Sequence, residues 1–351
     1  MEGNAHDFTT TLLCWFKENG RDLPWRNDSF PREQHAYAVW LSEIILQQTR
    51  IQQGMGYWER FMLRWPTVND LAAATEDEVL REWQGLGYYS RARNLHYAAR
   101  QIAEKGYFPD TLEEIRQLKG VGDYTAAAIG SIVFGLPAAV VDGNVFRVLS
   151  RHFGIDTPIN TTEGKKAFKA LAQSLLPADH ASDFNQAMMD FGAIQCTPQS
   201  PNCLFCPLNE SCLAFRLGRI DQLPVKQKTL KVKTRHFNYI YIRCNGKTAI
   251  HRRQAGDIWQ GLWEPLLIEG SIPDNTDLVV LKKSIRHVLT HRIIIADFYL
   301  MEVSDMVMLP ESIRQQFMDQ GFIWINESDI SNYGVPRLVE IMFDEIYHTI
   351  L

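Results

Sequence analysis

The feature that most constrains this chain is a run of four cysteines, Cys196-x6-Cys203-x2-Cys206-x5-Cys212, gathered into 17 positions. Four soft thiolates so close together suit a zinc ion or an iron–sulfur cluster. Zinc sites usually draw on two tight pairs, each separated by about two to four residues. Only one such pair exists here, and the wider gaps leave room to wrap a larger cubane. Disulfide pairing belongs to oxidising compartments and not to the cytosol. The other two cysteines, Cys14 and Cys244, stand alone and read as buried small hydrophobes.

A chain of 351 residues can build two domains, each with its own core. Its hydrophobic fraction of 46% and charged fraction of 22% are those of a soluble globular protein. No stretch approaches the ~18–20 uninterrupted apolar residues of a membrane span. The opening MEGNAHDFTTTLL lacks the basic flank of a secretory signal, so the expected location is the cytosol, on the nucleoid. The net charge of −5 argues against a protein that coats nucleic acid indiscriminately. Residues 1–225 carry 21 lysines and arginines against 26 acids, and residues 226–351 carry 15 of each. Nucleic-acid contact must therefore rest on local patches. The run Lys226, Lys228, Lys231, Lys233, Arg235 is one such patch, although a solvated linker explains it equally well.

Residues 7–216 read as mainly helical. Apolar positions recur at three- and four-residue spacing through Tyr37, Trp40, Leu41, Ile44 and Ile45, and again through Leu71, Val79 and Trp83. Glycines and prolines at Gly85-Leu-Gly87, Gly106 with Pro109, Gly120-Val-Gly122 and Gly135 with Pro137 punctuate short helices. The segment 217–235, poor in large apolar residues, reads as an interdomain linker. Beyond it HFNYIYIR, KTAIHRR, EPLLIEG, RIIIADFYLMEV and FIWIN read as strands, with LKKSIRHVLT and VPRLVEIMFDEIYHTI as helices. The predicted organisation is a helical domain over 1–216 with the cysteine loop at 196–212, and an α+β domain over 236–351.

The cysteine spacing resembles the cluster loop of the endonuclease III and MutY group of DNA glycosylases, which implies a 4Fe–4S cluster on Cys196, Cys203, Cys206 and Cys212. Leu118-Lys-Gly-Val-Gly-Asp-Tyr-Thr-Ala likewise resembles that superfamily's helix–hairpin–helix. Gly120 and Gly122 permit a tight turn whose N–H groups, at the start of a helix, can hold a phosphate. Asp142, in Val141-Asp-Gly-Asn-Val145, reads as the cap of the helix that follows. The resemblance adds a role facing the sugar, where a carboxylate stabilises the positive charge built up as the glycosidic bond breaks. Glu43 lies in AYAVWLSEIILQQT, apolar almost all round, so its pKa should rise towards neutrality. WLSEIILQQT closely resembles the MutY stretch whose glutamate protonates adenine.

Lyase members of the group carry a hairpin lysine that forms a Schiff base. Tyr124 stands there instead, which implies a monofunctional enzyme, with Lys119 as a phosphate contact. Tyr124 and Asn144 match residues that arrange the catalytic groups around the sugar. Base removal requires extrusion and something to fill the gap. Gly85-Leu-Gly-Tyr-Tyr-Ser-Arg-Ala-Arg93 resembles the wedge loop, with Tyr88 intercalating, Gln48 hydrogen-bonding into the gap, and Arg91 and Arg93 meeting phosphates. Trp25 and Arg26 match residues lining the adenine pocket, and Asp190 falls where relatives often carry glutamate. GDIWQGLWEP, residues 256–265, resembles the tryptophan-rich loop of a Nudix-like domain. No magnesium-binding glutamate box follows it, so the domain reads as a sensor of 8-oxoguanine. Leu289-Thr290-His291 stands where relatives use Phe-Ser-His on the lesion. The resemblance thus implies a monomeric repair enzyme acting on double-stranded DNA with adenine paired to 8-oxoguanine or guanine.

Overall fold

The computed structural model describes residues 2–27, 29–227, 232–272 and 278–350. The chain divides into two compact units, residues 1–73 with 97–228, and residues 74–96 with 229–351. Among the described residues no helix is long and apolar enough to cross a membrane.

The first unit is helical, as the periodicity predicts. Helix Arg32–Ile45 buries nine of its residues, from Ala36 to Ile45, which is why it shows no polar face. Helix Asp123–Phe134 starts behind Gly122 and stops at Gly135, whose φ of 65° is left-handed. Helix Gly143–Phe153 starts at Asp142 and stops at Gly154 in the same conformation. One face of the latter carries Val145, Val148 and Leu149 into a core with Phe8, Leu12, Phe168, Phe184 and Phe191. Of the lone cysteines, Cys244 is buried as expected but Cys14 is exposed, because its helix turns that position away from the core.

The segment 217–227 is not a free linker. The Arg151 Nε donates to the carbonyls of Ile220 and Leu223, both at 3.1 Å, and Leu223 is buried. Of the lysine run, Lys228 and Lys231 lie outside the described residues. Arg235 sits on a strand with its guanidinium bound to Asp257 and Glu269, so it is not an open patch.

The second unit is built on a sheet of seven strands: β1 Lys233–Cys244, β2 Lys247–Arg252, β3 Trp263–Glu264, β4 Leu266–Glu269, β5 Val279–Val288, β6 Arg292–Glu302 and β7 Ile323–Asn326. The main path runs β3-β2-β1-β6-β5, with β4 on β1 and β7 on β2. The central pair β1 and β6 is parallel. Side chains alternate across a strand. Phe237, Tyr239 and Tyr241 therefore pack on one face with Leu338, Val339 and Met342 of helix Arg337–Ile350. Ile240 and Ile242 pack on the other with Ile313 and Phe317 of helix Glu311–Gln320. Covering both faces explains why β1 is apolar on successive residues from Tyr239 to Ile242.

Two expectations are corrected. LKKSIRHVLT is strand β5 and its following turn, not a helix. Leu281, Ile285 and Leu289 are spaced by four, which fits alternate positions of a strand as well as one face of a helix, and all three pack on the sheet core. Residues 74–96, drawn inside the first domain, pack with the second unit. The Arg252 guanidinium pairs with Glu76 at 2.7 Å and Asp77 at 3.2 Å, and Val335 N–H donates to Gln84 Oε1. Pairings across more than 150 positions leave no local trace in sequence.

Leu338 is fully buried between helix and sheet. Leu338→Ala should cost about 2–5 kcal/mol, read as a lowered urea midpoint of the second unit. An unchanged midpoint would mean that this helix does not support the sheet.

Candidate active site and metal centre

The hairpin brings the first functional backbone into place. Gly120 has φ of 80°, a conformation that only glycine adopts freely, and Gly122 precedes the helix with open space around it. Lys119 is exposed, with its backbone N–H tied to Gln101 Oε1 at 2.8 Å. The N–H groups of the first helical turn are thus presented outward, as anion binding requires.

Asp142 caps the next helix as expected, with Oδ1 accepting from Val145 N–H at 2.8 Å. Its other oxygen accepts from Asn144 Nδ2 at 2.8 Å. Burial pushes the carboxyl pKa up, against these hydrogen bonds, which favour the ionised form. Asn144 is held in turn by Arg147, whose Nη2 donates to Asn144 Oδ1 at 2.8 Å and to Gly192 O at 2.6 Å. A Cβ at position 192 would stand 2.5 Å from that of Asn144, so the close approach of the turn Phe191–Gln195 demands glycine there. Arg147 was not singled out from sequence. Its only signal is a cation on the face of a helix that otherwise enters the core.

Glu43, Tyr124, Asp142 and Asn144 all line one cavity of about 700 Å³ in the first unit, a volume that admits an extruded nucleoside. Burial raises the Glu43 carboxyl to about 7; the neighbouring Tyr124 phenol pulls it down and the charge of Asp142 pushes it up, while the Tyr124 hydroxyl itself donates to Met189 Sδ at 3.6 Å. Tyr124 itself is driven well above its ordinary range by burial and by these two carboxylates, so it remains a phenol and a donor. The arrangement gives one carboxyl able to keep its proton near neutrality and one carboxylate stabilised by donors. Among the described residues the cavity lining contains four arginines and no lysine.

Trp25, Arg26 and Gln48 line the same cavity. Trp25 is also core, buried with its ring 5.5 Å from that of Trp58. Asp190 is fully buried and committed elsewhere: it accepts from Arg26 Nη1 at 2.8 Å, Arg26 Nη2 at 2.9 Å, Arg21 Nε at 2.9 Å and the Arg21 backbone N–H at 2.9 Å. It therefore fixes the two arginines and leaves no oxygen for a base. Burial raises its pKa, but the Arg26 and Arg21 hydrogen bonds outweigh that and hold it below the carboxylate norm. One turn earlier on the same helix stands Gln186, which sequence reading passed over. It is buried, lines the cavity, and has an Oε1 without a hydrogen-bond partner among the described residues.

Cys196, Cys203, Cys206 and Cys212 line one small cavity with Val148, Phe191 and Leu208. Arg151 Nη1 lies 3.5 Å from the Cys196 sulfur and donates to Thr197 O at 2.7 Å. Arg147 Nε donates to Cys196 O at 2.7 Å. Burial pushes the Cys206 thiol up to about 12, and raises Cys203 and Cys212 too, so thiolates here require a bound cation. Four soft donors around one cavity, with two buried arginines behind them, fit a thiolate-bound metal group. Among the described residues no three His, Cys, Asp or Glu side chains gather around a single-ion site.

In the second unit Tyr88, at φ of 48° and 47% exposed, stands on a cavity shared with Trp259, His287, Leu289, Thr290 and His291. Its hydroxyl meets Thr290 Oγ1 at 2.5 Å. Leu289 packs partly into the core and does not project as a wedge, whereas His291 is exposed. Arg91 is not a phosphate contact: it is buried, with Nη2 donating to the carbonyls of Leu86 and Gly87 at 3.3 and 3.2 Å. Arg93 is spent on the Gln260 carbonyl.

Known proteins share both units. The description "HhH-GPD superfamily base excision DNA repair protein" matches residues 41–177, and "NUDIX domain" matches residues 238–345. The adenine DNA glycosylase of Buchnera aphidicola (subspecies Acyrthosiphon pisum) is 32% identical over 344 residues, 95% of each chain. That of Mus musculus is 44% identical over 226 residues, 62% of this chain and 44% of its own length. The solved structure of a thermostable thymine-DNA glycosylase is 30% identical with a TM-score of 0.56, covering 62% of this chain and 98% of that one. The chain belongs to the adenine DNA glycosylase family. It spans less than half the length of the mammalian relatives it matches.

Removing Asp190 would leave the Arg21 and Arg26 guanidiniums without their shared carboxylate. Asp190→Ala should cost about 3–5 kcal/mol, measured as a loss of unfolding free energy in urea. A change below about 1 kcal/mol would show that the pair is not a structural anchor.

Proposed function

We propose that the chain hydrolyses the bond between adenine and deoxyribose in double-stranded DNA where adenine faces 8-oxoguanine or guanine. The observation that carries this reading is the convergence of Glu43 and Asp142 on one cavity with opposite electrostatic treatment. Glu43, desolvated within an apolar helix, holds a proton near neutral pH and delivers it to a ring nitrogen of the departing base. The bonding pair leaves with the base, and positive charge grows on the sugar. Asp142 carries negative charge at a helix N-terminus, oriented by Asn144 and Val145, and stabilises that cation until water adds. Tyr124, on the wall of the same cavity, keeps a protonated phenol beside the two carboxyls. The absence of lysine from the cavity lining supports a hydrolase without a Schiff-base step. The unpartnered Gln186 oxygen suits the exocyclic amino group that distinguishes adenine from a purine bearing a carbonyl there.

Cys196, Cys203, Cys206 and Cys212 would hold a 4Fe–4S cluster, which when bound ties the loop 196–212 to Arg147 and Arg151. The second unit, with Tyr88, Thr290 and His291 around one cavity, supports a site for the partner base, with Tyr88 filling the stack. A cytoplasmic, nucleoid-bound monomer with a helical catalytic domain and a Nudix-like lesion-reading domain completes the reading.

Single-turnover release of adenine from a duplex with adenine opposite 8-oxoguanine tests it. The parent protein should release adenine with a rate that falls about tenfold per unit above pH about 7, as Glu43 loses its proton, and falls again in acid, as Asp142 gains one. Glu43→Gln should bind the duplex and lose at least about 100-fold in rate, and borohydride should trap no covalent complex. Equal rates for parent and variant would remove Glu43 from the chemistry. No release by folded parent protein would reject the substrate.

A further inference from the structure

In the second unit, Ile285 and Leu289 on and after β5 pack into the core, and His287 faces Trp259 with ring centroids 5.9 Å apart. Alternation then sends Arg286, Val288 and Thr290 to the opposite face, and all three are exposed. Thr290 is the residue that meets the Tyr88 hydroxyl. β5 lies at the edge of the sheet. From Leu281 to Arg292 the sequence holds four lysines and arginines, two histidines and no acid. Lys282 is paired with Glu345 and Arg292 with Asp257. Arg286 makes no ion pair among the described residues. Asp297, two residues along β6 from the partner of Arg286, has both oxygens occupied, by Ser284 N–H at 2.7 Å and the Tyr299 hydroxyl at 3.4 Å. An exposed guanidinium with no acid to answer it, standing in line with Tyr88 and Thr290, is complementary to a polyanion.

We propose that the outward face of β5 extends the DNA-binding surface beyond Tyr88, and that Arg286 binds a backbone phosphate of the strand opposite the excised adenine. From Thr290 to Arg286 is four strand residues, roughly 13 Å, or about four base-pair rises of B-form DNA at roughly 3.4 Å each. Arg286 thus lies a few nucleotides from the base that Tyr88 adjoins, at a distance where it sets the register of the strand without reading its sequence. Val288, between the two, leaves an apolar gap on which a sugar can rest. The proposal rests on the DNA-repair reading above for its ligand.

The test is the salt dependence of binding by the full chain to a duplex with adenine opposite 8-oxoguanine, for the parent, Arg286→Ala, Arg286→Lys and, as an exposed lysine on another strand, Lys247→Ala. One lost phosphate contact should reduce the slope of log K against log salt by about 0.9 in Arg286→Ala. Arg286→Lys should restore most of that slope, and Lys247→Ala should keep the parent value. A slope in Arg286→Ala equal to the parent's, from protein with an unaltered urea midpoint, overturns the proposal. So does a loss in Lys247→Ala equal to that in Arg286→Ala, which would mean diffuse charge and not a contact. Adenine release by the parent, measured on the same duplex, reports separately on the functional reading. Its failure alongside a changed slope would leave a phosphate contact on a protein of other chemistry.

Discussion

The buried guanidinium of Arg147 is the joint on which the catalytic half of this molecule depends. Its donors reach Asn144 Oδ1 on its own helix, and Gly192 O and Cys196 O on the turn that leads into the cysteine loop. An arginine remains charged even where burial lowers its pKa, so each carbonyl it holds offsets part of the cost of taking that charge out of water. The planar fork gives directions as well as energy. It fixes the side chain of Asn144, and Asn144 fixes the carboxylate of Asp142. Gly192 is what allows that turn to come near enough to take part, since no side chain fits between it and Asn144.

With that frame in place, the two acidic groups of the cavity differ by their surroundings and not by their chemistry. Glu43 emerges from a helix whose neighbours are all buried, and it has a phenol for company. Asp142 sits at a helix N-terminus among donors. Burial raises both acids, and like charges confined together cannot both ionise cheaply. The two direct donors at Asp142, Val145 N–H and Asn144 Nδ2, are what separate an anion from an acid.

Much of this was legible in the chain, and the reasons differ by residue. Helix Arg32–Ile45 and strand β1 announce themselves because burial on more than one side leaves successive apolar residues, Ala36–Leu41 in the helix and Tyr239–Ile242 in the strand. Asp142 followed by glycine marks a helix start, and the cap is local. Tyr124 in the hairpin, and the cysteine spacing, are sequence-local too. The failures have one cause. Arg91 and Arg93 read as groups available to DNA, but each is consumed by a backbone carbonyl. Gln186 and Arg147 were passed over because a polar residue on a helix has no signature until the cavity beside it is formed. The strand at 279–288 was read as a helix because a spacing of four satisfies both periods.

Strand β5 carries one more consequence. Its register against β6 shifts twice between Val280 and Ile285, and the same stretch holds two lysines and a serine at φ of 57°. A sheet edge ordinarily offers a row of unpaired amides on which another chain can lay a strand, the first step of runaway aggregation. Here the broken ladder cannot be copied by a straight strand, and the cations repel a second copy of themselves. An edge made this way stays open to a long acidic ligand while refusing its own kind, so the protein can leave this flank uncovered as it travels through a crowded cell.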